Sequence, residues 1–347
     1  MSKNFTLGII GGGQLGSMLC QAATSLNIQT IIYCDDNDAP AQKFSTRFYH
    51  KKYDDIDALK KFANEVSVIT FEFENIPVPT LNSLEKIKPV YPKPKVNYII
   101  QDRAREKKFV NELGIATTAF KEINKKEDFT NTDHLIPGIL KTTTLGYDGK
   151  GQIVIQNNDD LKKISIDNNF ILEKKISLKK EISVIVTRYQ SGEVVLYDPF
   201  ENVHKNQILD TSKIPANISN KIAELSKTQA RLIAEKLDYI GTMCVEFFID
   251  KKEKLYVNEI APRVHNSGHL SINAHSISQF ESHIRAVCNL EIIKPRVIKN
   301  ALMKNIIGNE IEEYRNRNYK NNEFFFDYLK KDAKPKRKMG HLTTVEN

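Results

Sequence analysis

KTTTLGYDGKGQ, residues 141–152, sets a lysine at the end of a β-rich run and then places Gly146, Gly149 and Gly151 within six residues. Glycine turns its backbone N–H groups inward without a Cβ clash, so such a loop cradles phosphate oxygens while the lysine supplies a point charge. The same residues make an ordinary glycine hairpin between 138–144 and 152–156, and the loop by itself supports both readings. The chain on either side of it separates them.

After residue 113 the strand candidates 117–120, 138–144, 152–155, 170–176, 181–189 and 194–197 follow one another closely, and a long helix spans 218–237. That density reads as antiparallel sheet. The first 90 residues are different. A buried strand at 5–10, the turn Gly11-Gly12-Gly13-Gln14-Leu15-Gly16, a helix to about 26, a strand at 28–33, a helix at 54–64 and a strand at 66–71 alternate as in a parallel, doubly wound sheet. The fold class is therefore α/β, then α+β. Asp35 follows Gly16 by 19 residues, and taken alone this half predicts an NAD-dependent dehydrogenase. A tight strand–helix turn needs glycine whatever it binds, so the motif is only moderately specific. Residues 71–77 (FEFENIP) end a strand on Glu72 and Glu74, where ligands of open α/β sheets lie. A helix cap by Glu74 and Asn75 explains the same residues. Pro89, Pro92 and Pro94 mark a boundary. The helix 101–113 carries Arg103 and Lys107 four apart, a spacing that by default is a solvated face.

A chain of 347 residues holds two or three domains. The net charge of +8 is spread among paired lysines, with no basic stripe outside 330–338, so a nucleic-acid partner is not expected. Cys20, Cys34, Cys244 and Cys288 match no zinc spacing and read as reduced core residues. The first residues run straight into a strand, and no apolar run approaches the roughly 20 residues of a membrane span. A soluble cytoplasmic protein is expected, with no membrane contact.

Residues 241–250 and 255–263 flank the charged turn 251–254. A hairpin centred there sets Asp250 opposite Leu255, Phe248 opposite Val257 and Glu246 opposite Glu259, all on one face. Two facing glutamates repel in a partly dry site, and a hard divalent cation relieves them. Asn258 adds an amide oxygen if the strand bends. A one-residue slip, or a lysine bridging the pair, are the alternatives. Divalent metal facing a glycine loop and a lysine belongs to nucleotide phosphoryl chemistry, not to hydride transfer.

Lys141, GYDGKGQ, Glu173 in FILEKKI, Glu181, Glu246 in CVEFF and the run NEIAPRVHNSGH together resemble the ATP-grasp ligases. Within them the chain is most similar to the branch that carboxylates the 5-aminoimidazole ribonucleotide of purine biosynthesis, and the likeness runs from GGGQLG to KRKMGHLTT. The resemblance implies a pre-ATP-grasp domain at 1–93, an ATP-grasp domain at 94–290 with a lid at about 114–176, and a small β-rich C-terminal domain at 291–347. It implies that the first glycine turn binds no dinucleotide. ATP would be held by Arg103, Lys141, Gly146, Tyr147, Asp148, Gly149, Lys150, Gly151, Gln152, by Glu173, Lys174, Lys175 and Ile176 at the adenine edge, and by Glu181 and His204, with Asn258 beside the metal. Glu246 and Glu259 would carry Mg²⁺. The ribonucleotide would meet Gln14, Leu15, Glu74, Tyr147, Asp148, Arg263, His265 and Lys338, and Lys141, Arg263 and His265 would act on the reacting groups. Bicarbonate is the implied third substrate and a homodimer the implied assembly. The sequence departs from the family at Lys150, where arginine is usual, and at Lys336, which stands where glycine commonly precedes the Arg-Lys pair.

Overall fold

The structure is a computed structural model, and it describes residues 5–146 and 151–346. Tyr147, Asp148, Gly149 and Lys150 lie outside the described residues.

Strands β1 (Thr6–Ile10), β2 (Gln29–Cys34), β3 (Arg47–His50) and β4 (Val68–Phe71) form a parallel sheet in the order β3-β2-β1-β4. The near-continuous apolar runs of β1 and β4 reflect cover on both faces. Only β3 escaped the sequence reading; its RFYH has neither a buried run nor a regular alternation. The helix Gln14–Ser25 buries Leu15, Leu19 and Ala23 in one core with Phe280 and Ile284 of the helix Gln279–Val287, which belongs to the middle of the chain. The first sheet is thereby fixed to the rest by apolar packing.

Beyond residue 113 the sheets are antiparallel. β5 (Phe120–Ile123), β6 (Gly138–Thr142), β7 (Gln152–Ile155) and β8 (Phe170–Lys174) pair in the order β5-β8-β6-β7, with Lys141 opposite Gln152. β5 begins where the sequence placed its end, at Phe120.

The third sheet has nine strands. It contains β9 (Leu178–Arg188), β10 (Val194–Leu196), β11 (Phe200–Lys205), β12 (Ile208–Ile214), β13 (Gly241–Asp250), β14 (Leu255–Ala261), β15 (Ala301–Ile307), β16 (Glu323–Asp327) and β17 (Lys338–Val345). Its order is β14-β13-β9-β11-β12-β15-β17-β16, with β10 on β9, so the C-terminal strands continue the sheet of the central segment. The helix Asn220–Lys236, capped by the Ser219 side chain, buries Ile222, Ala230 and Ile233 against Val184, Val186 and Met243. The helix Arg103–Glu112, capped by Asp102, bridges the two antiparallel sheets: Lys107 reaches Glu173 on β8 and Arg103 reaches Glu259 on β14. Among the described residues no helix is long and apolar enough to cross a membrane.

Candidate active site

Counting back from the 251–254 turn, Ile249 faces Leu255, Phe248 faces Tyr256 and Phe247 faces Val257. Continued, that count would set Glu246 against Asn258 and turn Glu259 into the core. A β-bulge intervenes: Asn258 is the extra residue, and pairing resumes with Glu246 opposite Glu259. The expected pair forms, but the expected register of its neighbours is wrong by one residue, and the bulge cancels the slip. Phe247 and Val257 point into the core, while Glu246, Asn258 and Glu259 share the half-buried face. Two carboxylates and an amide thus make a set of hard oxygen donors, which fits Mg²⁺. Burial, and then the charge of Glu259, push the Glu246 carboxyl up to about 8. It is an acid placed where a cation would restore its charge. Arg103 Nη1 lies 3.2 Å from Glu259, and its Nη2 donates to the Gly146 carbonyl at 2.8 Å, tying the acid pair to the start of the glycine loop. Behind them Glu106, also pushed up to about 8 by burial and by Glu259, accepts the Ile260 N–H at 2.5 Å.

Lys141 and Glu173 meet across the neighbouring strands β6 and β8 at 3.0 Å. Lys107 Nζ lies 3.5 Å from the other Glu173 oxygen and donates to Thr118 Oγ1, which donates to Glu173 in turn. Burial would raise Glu173, but Lys141 and then Lys107 overcome it and hold the carboxyl at about 2. Lys107, only 2% exposed, is no solvated cation, and the default reading of that helix face is corrected. The N–H groups of Lys174 and Lys175 are used within the fold, on the carbonyls of Ala119 and Pro137. Any adenine contact of this stretch therefore falls to other backbone groups. At the far end of the loop Gly151 has φ +73°, and a Cβ there would stand 2.6 Å from Thr142 Oγ1. Gln152 starts β7.

Arg263 grips both oxygens of Glu74, through Nε and, at 2.8 Å, through Nη2. Burial opposes both charges, but the pairing holds Glu74 below its usual range and Arg263 above its own. Neither Glu74 nor Asn75 caps a helix; the following helix starts from Pro77. His265 is held by Gln279, which accepts its N–H at 2.9 Å and donates to its carbonyl at 2.6 Å. Its Nε2 lies 3.4 Å from Glu246 and its Nδ1 2.9 Å from Ser267 Oγ. Burial, and then Arg263 and Lys338, push the ring well below its usual range, so it is neutral at pH 7. The charge of Lys338, at the start of β17, also acts on Glu74 and Glu246. On β9 and β11, Glu181 and His204 form an ion-pair contact of 2.6 Å, each about a quarter exposed. Leu15 points into the first core, which leaves only its backbone for a ligand.

The first glycine turn is filled by a carboxyl group of the chain itself, which burial pushes up to about 7. Gly13 N–H donates to Glu72 at 2.8 Å, and a Cβ on Gly11, at φ +99°, would sit 2.7 Å from the same carboxylate. The place a dinucleotide's pyrophosphate needs is taken. Beside it a cavity of about 220 Å³ is lined by Gln14, Asp35, Asp36 and Glu72, with Lys330 and Arg337 arriving from the C-terminal segment.

Three family matches cover the chain: the ribonucleotide synthetase pre-ATP-grasp domain over residues 4–101, the ATP-grasp domain over 108–280, and the phosphoribosylaminoimidazole carboxylase C-terminal domain over 301–347. The N5-carboxyaminoimidazole ribonucleotide synthase of Brucella melitensis is 41% identical over 98% of this chain and 96% of its own. The chain belongs to the N5-carboxyaminoimidazole ribonucleotide synthase family. The synthetase of Staphylococcus aureus, solved with ADP, superposes with a TM-score of 0.93 at 36% identity, covering all of this chain and 96% of that one. The Aspergillus clavatus synthase, solved with ADP and 5-aminoimidazole ribonucleotide, gives 0.90 at 29% identity over 100% and 95%. As an ATP-grasp ligase of this family, the chain has the pre-ATP-grasp, ATP-grasp and C-terminal architecture that the resemblance implied. The synthase fold also recruits side chains that sequence reasoning passed over. Lys330 stood in the basic tail with no signal to single it out, and Arg337 was seen only as the neighbour of Lys338 in the tail motif. Gln279 and Ser267 act only through the loop they hold.

Proposed function

We propose that this chain couples ATP and bicarbonate to the carboxylation of the exocyclic amine of 5-aminoimidazole ribonucleotide, giving the N5-carbamate, ADP and phosphate. The observation that carries the proposal is the Glu246–Glu259 pair, facing across a bulge and linked by Arg103 to the loop that follows Lys141. Family membership supports the same substrates. Mg²⁺, held by Glu246 and Glu259 with Asn258 beside them, would neutralise charge on the terminal phosphates of ATP.

Lys141 carries its cation to the γ-phosphoryl group, positioned by Glu173, while Arg103 meets the phosphates from the helix end. Glu173, Lys174, Lys175 and Ile176 border the adenine, and Glu181 with His204 takes the ribose. Gly146 to Gln152, including Tyr147, Asp148, Gly149 and Lys150, cover the phosphates and exclude water. A bicarbonate oxygen attacks the γ-phosphorus and ADP leaves. The carboxyphosphate so formed yields its carboxyl group to the amine nitrogen; the new C–N bond forms, phosphate departs and the amine releases one proton. Arg263, fixed by Glu74, and neutral His265 hold the bicarbonate-derived group and orient the amine, with Tyr147, Asp148 and Lys338 beside them. Gln14 and the backbone of Leu15 reach the ribonucleotide from the first domain. Lys330 and Arg337 join that set as phosphate ligands, because they line the same cavity as Gln14.

The working description is a cytoplasmic homodimer of three domains, 1–93, 94–290 and 291–347, that engages neither nucleic acid nor membrane. ADP release, followed with each co-substrate withheld in turn, tests the reaction. It should need ATP, Mg²⁺, bicarbonate and the aminoimidazole ribonucleotide together. Turnover that is indifferent to bicarbonate, or that proceeds with formate, would assign the chain to another ATP-grasp ligation.

A further inference from the structure

Cys244 precedes Glu246 by two positions on β13, so both side chains point to one face of the sheet. The Cys244 thiol, a Glu246 carboxylate oxygen and a ring nitrogen of His265 all lie within 4.8 Å of one another. His265 Nε2 and Glu246 Oε1 are already 3.4 Å apart. Zinc–ligand bonds of about 2.0–2.3 Å in a tetrahedron separate neighbouring donors by roughly 3.3–3.8 Å. The imidazole and carboxylate therefore stand at the required spacing, and the thiol needs to close by an ångström or so.

The surroundings favour the same use. His265 Nδ1 lies 2.9 Å from Ser267 Oγ and accepts the Ser267 N–H at 3.3 Å, so an ion on Nε2 requires the ring proton to move to Nδ1, where Ser267 Oγ can accept it. Ser267 Oγ accepts from Ser183 at 2.7 Å and lies 3.9 Å from the Cys244 sulfur, so one hydroxyl supports two of the three donors. Glu246 and His265 keep 14% of their side-chain surface exposed, which gives an ion a way in from the cleft. Cys244 itself is buried. A sulfur, a nitrogen and an oxygen donor suit a borderline cation such as zinc, whereas Mg²⁺ takes oxygen donors.

We propose that Cys244, Glu246 and His265 form a binding site for a divalent cation of the zinc class, sharing Glu246 with the carboxylate pair. Binding exchanges the S–H bond of Cys244 for a sulfur–metal bond and the O–H bond of a protonated Glu246 for an oxygen–metal bond, releasing both protons to solvent, with no change of oxidation state. Because Glu246 cannot serve two ions in two places, an ion seated here competes with the metal of the nucleotide. That consequence rests on the role proposed above for Glu246; the binding does not.

The test uses the full chain without nucleotide and Co²⁺ as the optical probe for zinc. Wild-type protein should take up one Co²⁺ per chain with thiolate-to-cobalt absorption in the near ultraviolet, and Zn²⁺ should displace it. Cys244→Ala should remove that absorption and weaken zinc binding by at least about tenfold. Cys20, Cys34 and Cys288 remain in the variant and report any thiol binding elsewhere. Cys244→Ser, which keeps the side-chain volume, provides a second folded comparison, and both variants should turn over like wild type in Mg²⁺ while losing sensitivity to zinc. A cobalt–thiolate band that survives in both variants, or is missing from wild type, overturns the site. Zinc binding through Cys244 that leaves turnover untouched upholds the site and removes Glu246 from the nucleotide's metal.

Discussion

Glu173, buried, and Glu246, half-buried, are acids on the two antiparallel sheets, and their surroundings push them in opposite directions. Glu173 sits between Lys141 and Lys107 with Thr118 donating to it, and stays ionised with its carboxyl at about 2 in spite of burial. Glu246 faces another acid, and burial and that neighbour raise it to about 8. Burial works in the same sense on both, so the sign of the neighbouring charge decides the outcome. One acid is a permanent anchor that aims a lysine. The other, in the function proposed above, is the acid that a cation completes.

The strongest way to break the contrast is Glu246→Gln. Turnover should fall by at least about 10²–10³-fold, read as ADP release, while the melting temperature holds at neutral pH, where glutamine replaces a largely protonated, uncharged carboxyl. A large loss of stability would mean that Glu246 is an anchor too. Glu173→Gln should do the reverse in its stability effect. It leaves Lys107 and Lys141 buried together, and should cost about 3–5 kcal/mol in urea unfolding. An unchanged midpoint would remove the anchor from Glu173. Lys107→Met, which keeps Lys141 on the anion, should cost less, about 1–3 kcal/mol in the same measurement, and a cost equal to that of Glu173→Gln would mean Lys141 contributes nothing.

The smallest effect expected is a pH dependence. Glu246 and Glu106 have folded pKa values above the ordinary 4.5, so the folded chain keeps protons that the unfolded chain releases. Stability from this source is complete below 4.5, is lost as the pH climbs toward 8 and is level beyond. If Mg²⁺ is held by the ionised pair, as proposed, its upward shift of the melting temperature should be larger near about pH 9 than near about pH 6. Equal shifts at both would separate the metal from Glu246.

Much of the first sheet was legible because β1, β4 and most of β2 are apolar runs and its helices keep a 3.6-residue period. β11 and β12 were not read: FENVHK and ILDTSKI mix charged and apolar positions and take their place in the sheet only through pairing with β9 and β15. The glycine turn shows a different limit. GGGQLG was read correctly as a strand–helix turn, yet the carboxyl that fills it belongs to Glu72, 59 residues beyond Gly13 in the chain. Lys107 was judged a surface cation because its partner Glu173 lies on a strand whose position the helix pattern does not reveal.

Residue types and spacing alone determined the order of the two architectures, the loop after Lys141 and the facing of the acids at 246 and 259. Tertiary structure decided what those groups experience. A turn count places the acids in register only because an unforeseen bulge offsets the one-residue slip that stood as the alternative. Whether a buried carboxyl is anion or acid depends on charges brought from other strands and helices. Coulomb interactions and desolvation act through space over a few ångströms, and the linear chain does not record which distant residues will come that close.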